Sequence, residues 1–104
     1  MPSATVEAPI TGVPRTLKGV QRIAAAFLYQ THCAKAYGAA PWAGDKARVS
    51  VTVDGDHLEA ITLTLDTGQA GFDDIFNTII EPVIVDYGLT VNEHTKVNVD
   101  HFTA

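Results

Sequence analysis

The stretch from Ala47 to Asp66, ARVSVTVDGDHLEAITLTLD, constrains this chain more than any other. Two runs of alternating apolar residues meet at Asp54-Gly55-Asp56, the pattern of a β-hairpin. Val49, Val51 and Val53 form the apolar face of the first strand, and Ile61, Leu63 and Leu65 that of the second. All six positions are odd, so both sets share a face only if opposed residue numbers sum to an even number. A two-residue Asp54-Gly55 loop would oppose Val53 to Asp56 and turn Ile61 to the wrong side. The sequence therefore predicts an odd-length loop with Gly55 or Asp56 in the left-handed region, or a bulge near Leu58 to Ala60. The opposite face carries Ser50, Thr52, Thr62 and Thr64, a hydroxyl-rich surface that can be solvated or can meet a second copy of itself.

A helical pattern lies on each side of this hairpin. From Thr16 to Tyr37, Leu17, Val20, Ile23, Ala24, Phe27, Leu28, Thr31 and Ala34 recur at helical spacing, and Lys18, Arg22, Tyr29, His32 and Lys35 fall mainly on the other side. Thr16 suits an N-cap and Gly38 the left-handed residue after the last turn. An apolar stripe of about one face predicts a helix that covers a sheet. The connector Gly38 to Lys46 carries the one tryptophan, Trp42, either packed over the rim of the core or offered to a ligand or partner.

After Gly68 and Gly71, read as turn residues, Phe72, Ile75, Phe76, Ile79 and Ile80 predict a second helix. Asp73 and Asp74 in its first turn suit the helix dipole and oppose phosphate binding there. From Glu81 two readings stand. Val83 and Tyr87 continue the helix, with a kink at Pro82 and a stop at Gly88; alternatively Val83, Val85, Tyr87, Leu89 and Val91 alternate as a strand. Val97, Val99 and His101 alternate as a strand on either reading. Residues 1–14 form an edge strand or a tail, with Pro9 excluding a central strand. An exposed amino-terminal Pro2 would allow a proline-amine catalyst of the tautomerase kind, but the residues after it lack a strongly apolar strand to hold it in a pocket.

With 104 residues, the chain is sized for a single domain, 1–104. A net charge of -5 and only seven Lys and Arg, scattered, argue against nucleic acid and anionic membrane surfaces as partners. No run is long enough for a transmembrane helix, no signal peptide is visible, and one cysteine excludes an internal disulfide framework, so the cytoplasm is the default location.

The segment GQAGFDDIFNTIIEPVIVDYGLTVNEHT, Gly68 to Thr95, is loosely similar to the regulatory domain of isopropylmalate synthases. The resemblance covers about a quarter of the chain. It implies a Gly-rich turn, a helix with an Asp-containing apolar run, and a strand ending near a Tyr. Ala70-Gly71 stands where that family would have Gly-Pro, and no residue roles carry over. The function it implies is a regulatory module working beside a larger enzyme.

Three histidines are candidates for chemistry. His57 sits beside Asp54, Asp56 and Glu59 at the hairpin tip, and His94 beside Glu93 in a turn. In a βαββαβ sandwich these two would emerge at one end, where they and neighbouring carboxylates can form an acid/base or divalent-metal cluster or merely a solvated tip. His101 shares the apolar parity of its strand, either as a core-rim histidine or as a general base in a pocket near Tyr29 or Tyr87. No metal-binding spacing is present, and no metal or cofactor is assigned. Cys33 follows His32 directly, about 100° away around the helix, so the two form no dyad.

The expected architecture is α+β, an antiparallel sheet of three to four strands with two helices on one face, ferredoxin-like or a similar two-layer sandwich. The expected function is a small dimeric ligand-binding or interaction domain that pairs through the open sheet face, with Trp42, Ser50, Thr52, Thr62, Thr64 and Tyr87 as contact residues and a small molecule as a further ligand. The rival is a small enzyme using His57, His94 or His101.

Overall fold

The computed structural model describes residues 2–7, 10–66 and 70–102, and the structural statements below concern those residues. Pro9 and Gly68, given roles above, lie outside them. In chain order the elements are β1 (Ser3–Glu7), α1 (Val20–Ala36), β2 (Ala47–Asp54) and β3 (His57–Leu65). Then α2 (Phe72–Ile75) runs through a π-helical turn (Phe76–Ile80) into α3 (Glu81–Tyr87), and β4 (Lys96–His101) ends the series. The strands lie in the order β1-β2-β3-β4, with β1–β2 and β2–β3 antiparallel. The expected two-layer α+β arrangement is present, with one difference. β4 runs parallel to β3, because the helical crossover returns the chain to the end at which β3 began. Residues 1–14 do contribute an edge strand, Ser3–Glu7, and the Pro2 carbonyl accepts a hydrogen bond from Val53 N–H at 3.0 Å.

The hairpin resolves its parity conflict with a bulge. Asp54 opposes His57 and Val53 opposes Leu58, around a two-residue Gly55-Asp56 turn with Gly55 at φ 62°. The register then shifts so that Thr52 opposes Ala60 and Val51 opposes Ile61, leaving Glu59 as the extra residue. Leu58 and Ile61, three positions apart, are therefore both buried on the helix side with Val49, Val51, Val53, Leu63 and Leu65.

α1 starts later than Thr16. Leu17 N–H closes a turn onto the Pro14 carbonyl, and Gly19, at φ 61° and ψ -138°, takes a conformation open essentially to glycine alone. Its carbonyl accepts from Arg22 and Ile23 N–H, and the helix runs from there. The far end is a Schellman motif, with Ala39 N–H on the Ala34 carbonyl and Gly38 N–H on Lys35. The middle of α1 is more enclosed than a one-face stripe predicts. Ala24 to Leu28 are five consecutive buried residues, since the sheet packs on one side and the α2–α3 stretch on the other. The small Ala24, Ala25 and Ala26 side chains permit that double approach.

The ambiguous segment after Glu81 is helix, and Tyr87 ends a helix where the family resemblance would have a strand. Pro82 shapes it. Having no N–H, Pro82 cannot bond the Thr78 carbonyl four residues earlier. The helix widens here, with Glu81 N–H reaching the Phe76 carbonyl five residues back, and the Gln30 side-chain amide of α1 donates to the Thr78 carbonyl at 3.2 Å. Gly88, at φ 62°, then stops α3 as expected, with Leu89 N–H on the Ile84 carbonyl. Replacing Gln30 by Leu leaves the Thr78 oxygen without that donor. The expected cost is about 1–2 kcal/mol in urea unfolding. In a Pro82→Ala background, which supplies a backbone N–H, the same replacement should cost less than half as much.

Candidate functional site

A cleft of about 370 Å³ lies between α1 and the entrance to β2. One wall is a stripe of α1, Leu28, Thr31, His32, Lys35 and Ala36, at the i, i+3, i+4, i+7, i+8 spacing of a single helical face. The other is Gly44, Asp45, Lys46 and Ala47, where the connector enters β2. Local chemistry holds this second wall in place. Gly44 takes φ 71°, and the Asp66 carboxylate at the end of β3 accepts the backbone N–H groups of Asp45 and Lys46, each at 3.1 Å. Asp66 N–H returns a bond to the Lys46 carbonyl at 3.2 Å. Behind the connector, Ala34, Ala40 and Ala43 form a small buried cluster against which Trp42 packs, and Trp42 also packs against the main core.

The floor of the cleft is apolar and its rim polar. Thr31 is buried, its hydroxyl donating to the Phe27 carbonyl at 3.0 Å. Lys35 and Asp45 form an ion pair from one wall to the other. The Lys35 ammonium holds the Asp45 carboxyl below its ordinary value, first by the hydrogen bond and then by charge. The Lys46 ammonium lies 4.5 Å from the centre of the Phe102 ring, which Arg48 also approaches at 5.0 Å.

A smaller cleft of about 250 Å³ lies between α1 and α3, lined by Val13, Ala26, Tyr29, Gln30, Val83, Asp86 and Tyr87. Tyr87 and Tyr29 line this cleft without His101, and Arg22 lies 6.0 Å from the Tyr87 ring centre. The Cys33 thiol, hydrogen-bonded to the Tyr29 phenol, raises the phenol above its ordinary value.

The histidines are distributed differently from a single cluster. His57 Nδ1 meets Glu59 Oε1 at 2.7 Å, a contact that places the ring proton on Nδ1 when Glu59 is ionised. His57 Nε2 is shielded from solvent and has no hydrogen-bond partner among the described residues. The nitrogen that proton transfer would use is thus closed to a substrate in this geometry. His94 is exposed and lies 3.5 Å from Glu93. The hairpin tip and the approach to β4 do lie at one end, joined by Leu58 N–H to the Thr90 carbonyl at 2.9 Å and by the Thr95 hydroxyl to the Leu58 carbonyl at 2.8 Å. His101, opposite Leu65, is exposed at the other end of β4 and lines neither cleft. Among the described residues, no three His, Cys, Asp or Glu side chains converge as a metal site would require.

On the open sheet face, Thr5, Ser50, Thr62 and Asn98 form a continuous row across all four strands, with the Thr5 and Ser50 hydroxyls 2.9 Å apart. Thr52 and Thr64 lie in the rows on either side, half-buried by their neighbours. Arg48 Nε bonds Glu7 Oε2 at 2.7 Å in the row of Thr64.

Periodicity places His32 and Lys35 on the solvent side of α1, and Leu28 and Thr31 on its core side. The cleft straddles that boundary. The signal available was the mixed polarity of the stripe Leu28-Thr31-His32-Lys35-Ala36, followed by a Gly-containing connector that can return to meet it. Compared with models of known protein families and with curated proteins, the chain matches none.

The ion pair across the cleft has a pH signature. Because Asp45 is depressed in the folded state, its contribution is present above the ordinary carboxylate pKa of about 3.9 and is lost as pH falls through the depressed folded value. In a carbon-detected NMR titration, Asp45 should show its midpoint below that of a free aspartate, and Lys35→Gln should return the midpoint towards about 3.9.

Proposed function

We propose that the protein is a small-molecule-binding domain whose ligand occupies the cleft between α1 and the entrance to β2. The observation that supports this reading is the combination found there: an apolar floor from Leu28, Ala36 and Ala47, a few polar groups converging at the rim, and a volume of about 370 Å³. Small-molecule sites run from about 300 to 1,000 Å³ with this division of lining. Binding fits the lining better than turnover does. The Asp45 carboxylate is already paired with Lys35, and the Thr31 hydroxyl is already committed to the helix backbone.

Ala36 is exposed on the last turn of α1 and lines the cleft, so Ala36→Trp fills the site without entering the core. In ¹⁵N-resolved NMR, a neutral apolar fragment such as benzyl alcohol should shift amides of residues 28–36 and 44–47 saturably. Ala36→Trp should weaken this at least tenfold while keeping a dispersed spectrum. Shifts scattered over the whole surface, or unchanged by Ala36→Trp, overturn the proposal.

Self-association through the open sheet face is the second reading, favoured by the hydroxyl row and by the lack of any described helix over that side. Area weighs against it as the main function. Four strands of 5, 8, 9 and 6 residues, about 4.8 Å apart and about 3.3 Å per residue, give a face of roughly 19 by 23 Å. That is about 440 Å² in projection, about half of the about 800 Å² per partner of a standard interface. Sedimentation decides this reading: a dimer at micromolar concentration that Thr62→Lys converts to monomer supports it, and a monomer in the unaltered chain removes it.

A further inference from the structure

We infer that the ligand of this cleft is a small organic monocarboxylate whose acid group exchanges with the Asp45 side chain on Lys35, an inference that rests on the cleft being the binding site. Two observations single out Lys35 as the anchoring cation. The Lys46 ammonium is placed over the Phe102 ring, whereas the Lys35 side chain is only 35% exposed and reaches across the cleft to its counter-ion. That counter-ion is the least constrained group of the site. The Asp45 side chain is 96% exposed, and the connector bearing it is staked through its backbone N–H to Asp66, so the loop does not depend on the carboxylate staying where it is. An exposed ion pair of this kind contributes little, so a competing carboxylate can replace Asp45 at small cost. The competitor brings an apolar body to Leu28, Ala36 and Ala47, a contact the aspartate cannot make.

The charge balance selects a single negative charge. The lining carries two lysines and one carboxylate, Asp45, and a second carboxylate, Asp66, accepts the backbone N–H groups of Asp45 and Lys46, in a protein of net charge -5. Turning Asp45 out to solvent leaves room for one anionic charge on Lys35. A dianionic phosphate ester would meet Asp66 and the protein's overall negative field with no further lysine or arginine among the lining residues, His32 being the one other basic side chain there.

The test compares two probes with the same body, octanoate and 1-octanol, by ¹⁵N-resolved NMR at pH 7. Octanoate should bind on the order of fivefold or more tightly than octanol, shifting residues 28–36 and 44–47. Lys35→Gln should bring the two probes to equal affinity, Lys35→Arg should keep the preference, and Asp45→Asn should tighten octanoate about twofold to fivefold by removing its competitor. Equal binding of both probes in the cleft of the unaltered protein, or a preference that survives Lys35→Gln, overturns the carboxylate assignment and leaves the cleft as a site for neutral molecules. An Asp45→Asn variant that binds octanoate no better overturns the exchange. Failure of both probes to shift the cleft amides overturns the inference together with the binding function beneath it.

Discussion

The whole structure depends on keeping seven side chains of the hairpin, Val49, Val51, Val53, Leu58, Ile61, Leu63 and Leu65, on one face of the sheet. Each such side chain contributes about 1.5–3 kcal/mol when buried. A one-residue slip would expose half of the set at once, whereas a bulge leaves one residue out of the ladder. The bulge therefore wins by a wide margin, and it falls where the apolar spacing changes from two to three, between Leu58 and Ile61. The same bulge makes Glu59 the extra residue, and its carboxylate meets His57 two positions before it in the strand.

The helices answer that face in two different ways. α1 lies against β1 and β2, and its run of alanines lets a second helical stretch close in beside it. That second stretch carries a proline in its interior, and the chain accommodates it by widening one turn and borrowing a donor, Gln30, from α1. The two helices are thus joined by a polar contact as well as by apolar burial. β4, added in parallel at the far edge, receives less cover: Val97 and Val99 remain half-buried while the central strands reach full burial.

The cleft arises where this cover ends. α1 runs on past the edge of the packed region, and the connector returns beneath it through the alanine cluster and Gly44. The Asp66 carboxylate accepts two backbone N–H groups of the connector and ties it to the end of β3. Among the described residues, the Lys35–Asp45 ion pair spans from wall to wall. The connector wall is thus tied down through its backbone, with the Lys35–Asp45 pair at the rim.

Legible in the residues alone were the hairpin, its conflict of parity, the bulge as one remedy and the two helical patterns, while the first strand stood open as edge strand or tail and Gly88 as a stop on one of two readings. Each follows from periodicity or from one residue's backbone limits, which act over a few neighbours. Long-range packing set the rest: the start of α1 at Gly19, the helical state of Val83 to Tyr87, the parallel sense of β4 and the position of the cleft. Val83 to Tyr87 alternates well enough for a strand, and it is helix because Ile79, Ile80 and Val83 bury together beside α1 while Gln30 covers the carbonyl that Pro82 leaves open. The separation of His101 from His57 and His94 follows from strand direction, which periodicity does not carry. The cleft was hidden for the same reason: Lys35, Asp45 and Asp66 become neighbours through a helix end, a connector and a strand end, and no local pattern records that distance.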